Sequence, residues 1–248
     1  MDKVLYLAMS GARENMRSQH AHSNNLANVN TTGFKTDLAQ ARAMPVYGEG
    51  MPSRVYAMSE RPATDTTSGV LTPTGRELDV AIEGDDGWFA VINANGQEVY
   101  TRSGEFAINE LNQLVTAGGV PVMGNGGIPI TLPAFEKLDI GGDGTITVQP
   151  LGEGPEALAV VDRIKLVNPD PGTLFKGPDS FMHSGNPVPL PPANDVKVVS
   201  GFLETSNVNS VSELTSIISL SRQYEMQVKM MKTAEENSTA AARILQLQ

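Results

Sequence analysis

The sequence predicts a mixed α and β protein: long N- and C-terminal α-helices packing as a coiled-coil-like pair, with an antiparallel all-β central domain. Apolar residues recur with heptad spacing at both ends of the 248-residue chain. Short apolar runs alternate with turn dipeptides across the middle, and 24 glycines and 16 prolines favour turns and short strands over a helical bundle. The predicted domains are a helix with a signature turn (1–35), an extended connector (36–75), a β-rich domain (76–204) and a C-terminal helix (205–248).

The first predicted helix covers residues 3–28. Its apolar stripe is thin, because it is apolar only in its first half and mostly polar in its second. A lone helix of this kind is marginal in water, so we expect it to need a partner. The stripe follows a 4-3-4-3 spacing through Leu5, Met9, Ala12, Met16, Gln19, Ser23 and Leu26.

The stretch that ends this helix is rich in asparagine, threonine and glycine. Residues 23–35 read Ser-Asn-Asn-Leu-Ala-Asn-Val-Asn-Thr-Thr-Gly-Phe-Lys. Asn and Thr side chains bond to nearby backbone, and Gly adopts positive φ, so such a run ends a helix and directs the chain away from it. On composition alone, an ordinary helix C-terminus followed by a turn accounts for it.

The connector is predicted to be extended, with short strands. Proline disfavours helix in the residue before it, and four prolines are spaced through the segment. They are Pro45, Pro52, Pro62 and Pro73.

The β-rich domain begins at residues 78–83, where alternating apolar and other residues predict a half-buried strand. The apolar run 88–92 is separated from residues 99–101 by Asn95-Gly96, which predicts a hairpin because both turn residues tolerate positive φ. Short strands at this spacing indicate an antiparallel barrel or sandwich-like domain. Further turn pairs lie at 103–104, 118–119, 125–126 and 143–144.

Two more features complete this domain. Residues 168–195 contain seven prolines and are predicted to form a surface excursion. Residues 196–203 are predicted to form a single last strand.

The second predicted helix covers residues 207–248. Ser210-Val211-Ser212-Glu213 has the pattern of a capping box, in which the serine hydroxyl accepts the Glu213 N–H and the glutamate reaches back. Neither proline nor glycine interrupts residues 211–248, which as a helix would be about 57 Å long. A heptad stripe runs through Leu214, Ile217, Ser221, Tyr224, Val228, Met231, Glu235, Ser238, Ala242 and Leu245.

Each terminal stripe is imperfect alone. The simplest solution is that the helices pack on each other, antiparallel or nearly so, and on copies of the chain in other subunits.

The charge is concentrated in the middle of the chain. The net charge of −10 argues against nucleic acid as a partner. Residues 1–35 carry +2, residues 211–248 are neutral, and the middle carries −12, which is typical of a solvated acidic surface.

The absence of cysteine excludes disulfides, thiol nucleophiles and cysteine-based zinc sites. The apolar run of residues 4–9 is too short for a membrane span and weak as a signal-peptide core. A cleaved signal is therefore not the expected route of export.

The sequence contains no recognisable catalytic or cofactor motif. His20 and His22 are two residues apart, so on a helix they point in different directions and cannot share a metal ion. No phosphate-binding loop or nucleophile elbow occurs. Carboxylates are plentiful in the middle, so a hydrolase with paired carboxylates stays open as one hypothesis, although nothing selects a pair.

Five separated motifs resemble the flagellar rod and hook family of axial proteins. The first is Asn-Asn-Leu-Ala-Asn followed by Thr-Thr-Gly-Phe-Lys at 24–35. The others are residues 75–91, residues 100–106 with 113–116, residues 201–209 and residues 226–229. Within the family, the start Met1-Asp2-Lys3, the length and residues 224–233 are most similar to the proximal-rod members.

The resemblance implies a structural subunit, not an enzyme, without cofactor, metal, nucleic acid or small-molecule substrate. It implies passage in unfolded form through the flagellar type III export apparatus. Subunits of this kind then join copies of themselves and other proximal and distal rod proteins in a hollow helical drive shaft. That shaft belongs to the basal body and crosses the periplasm.

On this basis the assembly interface is predicted to lie on both helices and the signature stretch. A β-domain binding module with a helical dimerisation stem is the alternative. The predicted interface residues are Leu5, Met9, Ala12, Met16, Asn24, Asn25, Leu26, Asn28, Gly33, Phe34, Leu214, Ile217, Tyr224, Val228, Met231 and Leu245.

Overall fold

A computed structural model describes residues 2–47, 55–59, 63–152, 154, 157–186 and 188–246. Helix α1 is Asp2–Ala27 and helix α2 is Ser210–Gln246, close to the predicted bounds. The two helices pack on each other, and the strands between them pair in antiparallel fashion, so the predicted mixed α and β class is confirmed. Neither helix, over its described length, is both long and apolar enough to span a membrane.

The chain forms two compact units. The helical unit contains Met1–Asn28, Asp37–Asp65 and Val208–Gln248. The β unit contains Val29–Thr36 and Thr66–Asn207. Both units are discontinuous in sequence, and the domain bounds given above stay a prediction.

Four short strands accompany the helices in the helical unit. β1 pairs with β4, and β2 pairs with β3 as a hairpin that packs against α1. These strands are β1 (Asp37–Leu38), β2 (Ala41–Pro45), β3 (Val55–Ser59) and β4 (Ala63–Thr64).

The β unit is built from fourteen strands in its described part. They are β5 (Leu71–Pro73), β6 (Val80–Ile82), β7 (Trp88–Ile92), β8 (Glu98–Thr101), β9 (Phe106–Ile108), β10 (Leu114–Thr116), β11 (Phe135–Ile140), β12 (Thr145–Pro150), β13 (Ala159–Arg163), β14 (Leu166–Val167), β15 (Leu174–Lys176), β16 (Met182–Ser184), β17 (Val198–Ser200) and β18 (Phe202–Glu204). The largest sheet has five strands in the order β14-β7-β8-β16-β15, and a second has three in the order β11-β12-β13. Two-stranded ladders join β9 to β10, β6 to β17 and β5 to β18.

The predicted hairpin is confirmed. β7 and β8 pair from Phe89 opposite Thr101 to Ile92 opposite Glu98. Gly96 lies between them with a φ of +75°, a backbone conformation that residues with a Cβ rarely adopt.

The first strand of the β domain differs from its prediction. Alternation predicted one solvent face, but Val80, Ala81 and Ile82 are all buried. Ala81 is a small residue that is buried on the face opposite Val80 and Ile82, so both faces of the strand are covered by protein.

The proline-rich stretch is also less separate than predicted. It contains β15 and β16, and β16 joins the five-stranded sheet by placing Met182 opposite Tyr100. The predicted single last strand is two strands, because Gly201, with a φ of +79°, separates β17 from β18.

Candidate assembly surface and motif junction

The two helices run antiparallel. His22 Nδ1 lies 2.5 Å from Glu213 Oε2, and further toward the start of α1 a side chain at Gly11 would meet Gln227 Nε2 at 3.0 Å. Residue numbers thus decrease along α1 in the direction in which they increase along α2. The close approach at Gly11 follows from the small residues that α1 buries, including Ala8, Ala12 and Ser18.

The covered face of α2 overlaps the predicted heptad stripe but does not coincide with it. Glu213 is buried, and the half-buried positions that follow it up to residue 234 are Ser216, Ile217, Leu220, Ser221, Tyr224, Gln227, Met231 and Ala234. The predicted stripe shares Ile217, Ser221, Tyr224 and Met231 with this face. Its Leu214 and Val228 lie one residue after Glu213 and Gln227 and are exposed.

The predicted interface residues on the helices therefore divide into two groups. Ala12 is buried, and Leu26, Ile217, Tyr224 and Met231 are half-buried. The others are 39–52% exposed, and they are Leu5, Met9, Met16, Leu214 and Val228. Leu245 lies in α2, but its side chain is outside the described residues.

One set of exposed apolar residues on the two helices lies on the same side of the pair, whereas others, such as Tyr6, Met226 and Met230, lie on other sides. In α1, Met9 directly follows the buried Ala8; in α2, Leu214 and Ile218 directly follow Glu213 and Ile217. One residue along an α-helix is a rotation of about 100°. Because the helices run in opposite directions, the two rotations have opposite sense and bring both sets to one side. We call this set of Leu5, Met9, Met16, Leu214, Ile218 and Val228 the exposed stripe.

The predicted capping box is wrong. The Oδ1 atom of Asn209 accepts hydrogen bonds from the N–H groups of Val211 and Ser212, both at 3.1 Å, so Asn209 is the N-cap of α2. Glu213 contacts His22 instead of reaching back to Ser210. The sequence offers asparagine and serine side by side, and both are good caps, so spacing alone could not choose between them.

The signature asparagines make hydrogen bonds within the helical unit. Asn25 is fully buried, and its amide bonds to both the N–H and the C=O of Asp37, each at 2.9 Å. The Asn24 Nδ2 donates to Asp37 Oδ2 at 3.2 Å, and the Asn28 Nδ2 donates to the C=O of Asn24 at 2.9 Å. These bonds fix how the chain leaves α1, as the composition of the stretch predicts.

The second half of the signature stretch is buried in the β unit. Gly33 has a φ of +66°, and a Cβ there would lie 2.3 Å from the carbonyl carbon of Arg102. Its N–H donates to the C=O of Glu204 at 2.8 Å. Phe34 is buried under the Lys176 ammonium, which lies 3.7 Å from the ring centroid.

Three buried charges meet beside this turn. Lys35 Nζ lies 2.6 Å from Glu204 Oε1, and Arg102 Nη1 lies 3.1 Å from Glu204 Oε2. Arg102 also donates to the carbonyls of Gly84 and Asp85, and its guanidinium lies 5.4 Å from the Trp88 ring. Burial lowers the pKa of Lys35 below its ordinary 10.5, because desolvation of the ammonium outweighs the attraction of Glu204.

The sequence reasoning missed this cluster of Lys35, Arg102 and Glu204. All three residues lie inside motifs quoted above, at 24–35, 100–106 and 201–209. Asn207, in the last of these motifs, also accepts hydrogen bonds from the N–H and hydroxyl of Thr36 at 2.8 and 2.7 Å. One feature of the sequence could have indicated the cluster: each of the three charged residues lies next to or within a short apolar segment. Burying an unpaired charge there would cost free energy, so the charges would be expected to pair.

Comparison with known proteins gives matches along the chain. The family model for flagella basal body rod proteins matches residues 5–35. The model for the D1 domain of flagellar hook protein FlgE/F/G matches residues 81–148, and the C-terminal model for flagellar basal body rod FlgEFG proteins matches residues 199–244.

Curated relatives match over the full length. The flagellar basal-body rod protein FlgF of Escherichia coli (strain K12) is 36% identical over 254 residues, with both chains covered completely. The Salmonella typhimurium FlgF is 36% identical over 253 residues, again with complete coverage of both chains. The Caulobacter vibrioides FlgF is 36% identical over 253 residues, covering 98% of each chain.

Proposed function

Because this chain belongs to the family of flagellar basal-body rod proteins, and is thus a structural subunit of the flagellar basal body, we propose that it polymerises through its terminal helices. The product is a hollow helical shaft in which copies of the helical unit pack in a coiled-coil-like manner. The single observation that carries this proposal is the exposed stripe on one side of the helix pair. Apolar side chains in such a row are typical of a surface that another protein covers.

The size of the stripe suits assembly better than pairing. Burying the exposed half of six large apolar side chains would contribute on the order of 6 kcal/mol. Bringing two molecules together costs about 4–15 kcal/mol in lost freedom, so one such contact is weak. A subunit that meets several neighbours makes more than one contact but loses its translational and rotational freedom only once. Assembly is therefore favoured where several copies are already in place.

The charge distribution supports contact through the helical unit. The helical unit contains ten basic and ten acidic residues, whereas the β unit contains eight basic and 18 acidic residues. Copies of the neutral unit can approach one another without net repulsion, whereas copies of the acidic unit repel each other. Packing that brings helical units together and keeps β units apart satisfies both conditions.

We further propose that the chain reaches this position through the flagellar export apparatus, without a cleaved signal peptide. In the shaft it lies in the periplasm, next to other proximal and distal rod subunits. The names of its relatives, which are basal-body rod proteins, support this placement. The predicted interface residues Asn25, Gly33 and Phe34 then act indirectly, since they are buried within their own chain and shape the turn after α1.

The proposal is tested by placing a charge in the exposed stripe. Met9→Asp and Ile218→Asp are suitable because both side chains are more than half exposed, so the fold of one chain does not depend on them. Gln223→Asp is the control, because Gln223 is exposed and lies five residues from Ile218, on another side of α2. Sedimentation of the purified chain over a concentration series measures association, and complementation of a strain lacking the gene measures motility.

We expect the wild-type chain and Gln223→Asp to associate as concentration rises and to restore motility. Met9→Asp and Ile218→Asp should stay monomeric and leave the strain non-motile. Unchanged association and motility in both stripe variants would overturn the proposal. A discrete dimer that never extends would favour the alternative of a binding module with a dimerisation stem.

A further inference from the structure

The helical unit contains a groove between α1 and the β2–β3 hairpin. Its volume is about 640 Å³, and α1 forms one wall with Ser10, Arg13 and Arg17. The opposite wall is apolar, with Met44, Tyr47 and Met58 all more than half exposed. The hairpin is held to the helix by packing and by a 3.4 Å contact from Ser10 Oγ to the carbonyl of Ala57.

Among the described residues, the side chains of the two arginines of the groove have little to bind. Arg17 is 57% exposed, and the carboxylate that pairs with it there, on Glu14, is 3.8 Å away, beyond hydrogen-bonding distance. The Arg13 side chain is exposed and makes no hydrogen bond or ion pair with any described residue. The groove therefore fits an elongated apolar surface that carries a negative charge near its centre.

One surface of the same chain has this character. On α2, exposed positions recur at Leu214, Ile218, Glu225 and Val228, on one side of the helix. The Glu225 side chain is exposed and has no partner among the described residues. Between Leu214 and Val228 it is the one acidic residue on that side, with apolar residues on both sides of it and the exposed Arg222 next to it.

Arg13 and Glu225 also lie at the same height along the axis of the helix pair. Gly11 lies opposite Gln227, so Arg13, two residues later in α1, lies level with Glu225, two residues earlier in antiparallel α2. A second copy moved sideways, without any shift along the helix axis, would bring its Glu225 to the level of Arg13. No change in either chain is needed for this alignment.

We propose that the groove of one copy receives the Leu214–Val228 side of α2 from a second copy, with Glu225 between Arg13 and Arg17. This inference rests on the proposed function and names the contact by which neighbouring subunits meet. The two surfaces are different, so each copy offers a groove on one side and a helix on the other. Such a head-to-tail contact extends from copy to copy and does not end at a dimer.

Because the chain has no cysteine, single cysteines give a clean test. Chains carrying Met58→Cys are mixed with chains carrying Ile218→Cys at a concentration at which the wild-type chain associates, and disulfide formation is followed after mild oxidation. Gln223→Cys replaces Ile218→Cys in the control mixture. Holding two thiols in one contact raises their effective concentration, so the Met58/Ile218 mixture should cross-link about tenfold faster than the control.

Charge reversal supplies a second, independent arm. Arg13→Glu and Glu225→Arg should each raise the concentration needed for half-maximal association about five- to tenfold, and the double variant should restore it to near the wild-type value. Ion pairs between exposed groups weaken with salt, so the effect should shrink as ionic strength rises.

The outcomes separate this contact from the broader proposal. A selective Met58/Ile218 cross-link, with rescue by the double charge reversal, supports the contact. Association of the wild-type chain with equal cross-linking in test and control mixtures, or preferential Ile218/Ile218 cross-linking, overturns this contact and leaves the proposed function standing. A wild-type chain that stays monomeric at every concentration overturns both.

Discussion

The Nζ atom of Lys35 lies 2.6 Å from Oε1 of Glu204, although the two residues are 169 positions apart in the chain. This pair joins the turn after α1 to the last strand before α2 within the β unit. Arg102 completes the cluster from a third part of the sequence. Three of the family's motifs therefore meet at one buried carboxylate.

The first prediction concerns that carboxylate. Glu204→Gln leaves Lys35 and Arg102 buried without an opposite charge, which should lower the free energy of unfolding by about 3–5 kcal/mol. Urea unfolding followed by the fluorescence of Trp88 measures this change, since Trp88 is the single tryptophan and lies beside Arg102. Glu110→Gln, at an exposed position, is the control and should change the unfolding midpoint little. A Glu204→Gln midpoint equal to that of wild type would show that the cluster is not stabilising.

Local patterns in the sequence were sufficient for several parts of this fold. The Asn-rich run follows the end of α1, Gly33 takes a positive φ in the turn after it, and Asn95-Gly96 forms the predicted hairpin. Each depends on residues within a few positions of each other. The buried cluster could not be found in this way, because Arg102 and Glu204 are 102 residues apart and only the folded chain brings them together.

The contact between α1 and α2 could be predicted only in part, for a different reason. Leu214 follows Glu213, and Val228 follows Gln227, so two stripes that share Ile217 and Tyr224 can be drawn on α2 with the same spacing. Periodicity cannot choose between them. The choice is made by the small residues of α1, such as Ala8 and Gly11, which let α2 approach along one line and leave the other stripe exposed.

The second prediction concerns pH. Because burial lowers the pKa of Lys35 in the folded state, the folded chain loses this proton at a lower pH than the unfolded chain does. The unfolded state then binds more protons, so the Lys35 contribution to stability rises with pH up to the ordinary value of 10.5 and is flat below the lowered pKa. Lys35→Met lacks this contribution. The stability of wild type minus that of Lys35→Met should thus increase through the alkaline range in urea titrations at a series of pH values. A difference that falls as pH rises would contradict the assigned direction.

The third prediction separates backbone strain from steric exclusion. Gly33 and Gly96 both have positive φ, but a Cβ at Gly33 would collide with the Arg102 backbone, and nothing lies within 4 Å of a Cβ at Gly96. Gly96→Ala should cost about 1–2 kcal/mol from the left-handed conformation alone. Gly33→Ala should cost about 1–3 kcal/mol more, because the neighbouring strand has to move. Equal losses for the two variants in thermal unfolding would mean that the close approach at Gly33 is unimportant.

The fourth prediction concerns the turn at the end of α1. Asn25→Asp keeps the shape of the side chain but removes the Nδ2–H that donates to the carbonyl of Asp37. It also places a carboxylate against that carbonyl, which should cost about 1–3 kcal/mol. Urea unfolding is the measurement, because the carboxylate of the variant can still accept the Asp37 N–H and exchange at that amide would not isolate the lost bond. Asn30→Asp, at an exposed position, is the matched control and should leave the unfolding midpoint near that of wild type.

The last prediction concerns the start of α2. Asn209 caps the helix through two hydrogen bonds, and Ser210 is the first helical residue. Asn209→Ala should therefore lower stability by about 1 kcal/mol, the usual loss when an N-cap is removed. Ser210→Ala should have a smaller effect, because alanine is well tolerated inside a helix. Thermal unfolding followed by far-ultraviolet circular dichroism compares the two variants directly. The reverse order, with Ser210→Ala the more damaging, would contradict Asn209 as the cap and restore the capping box.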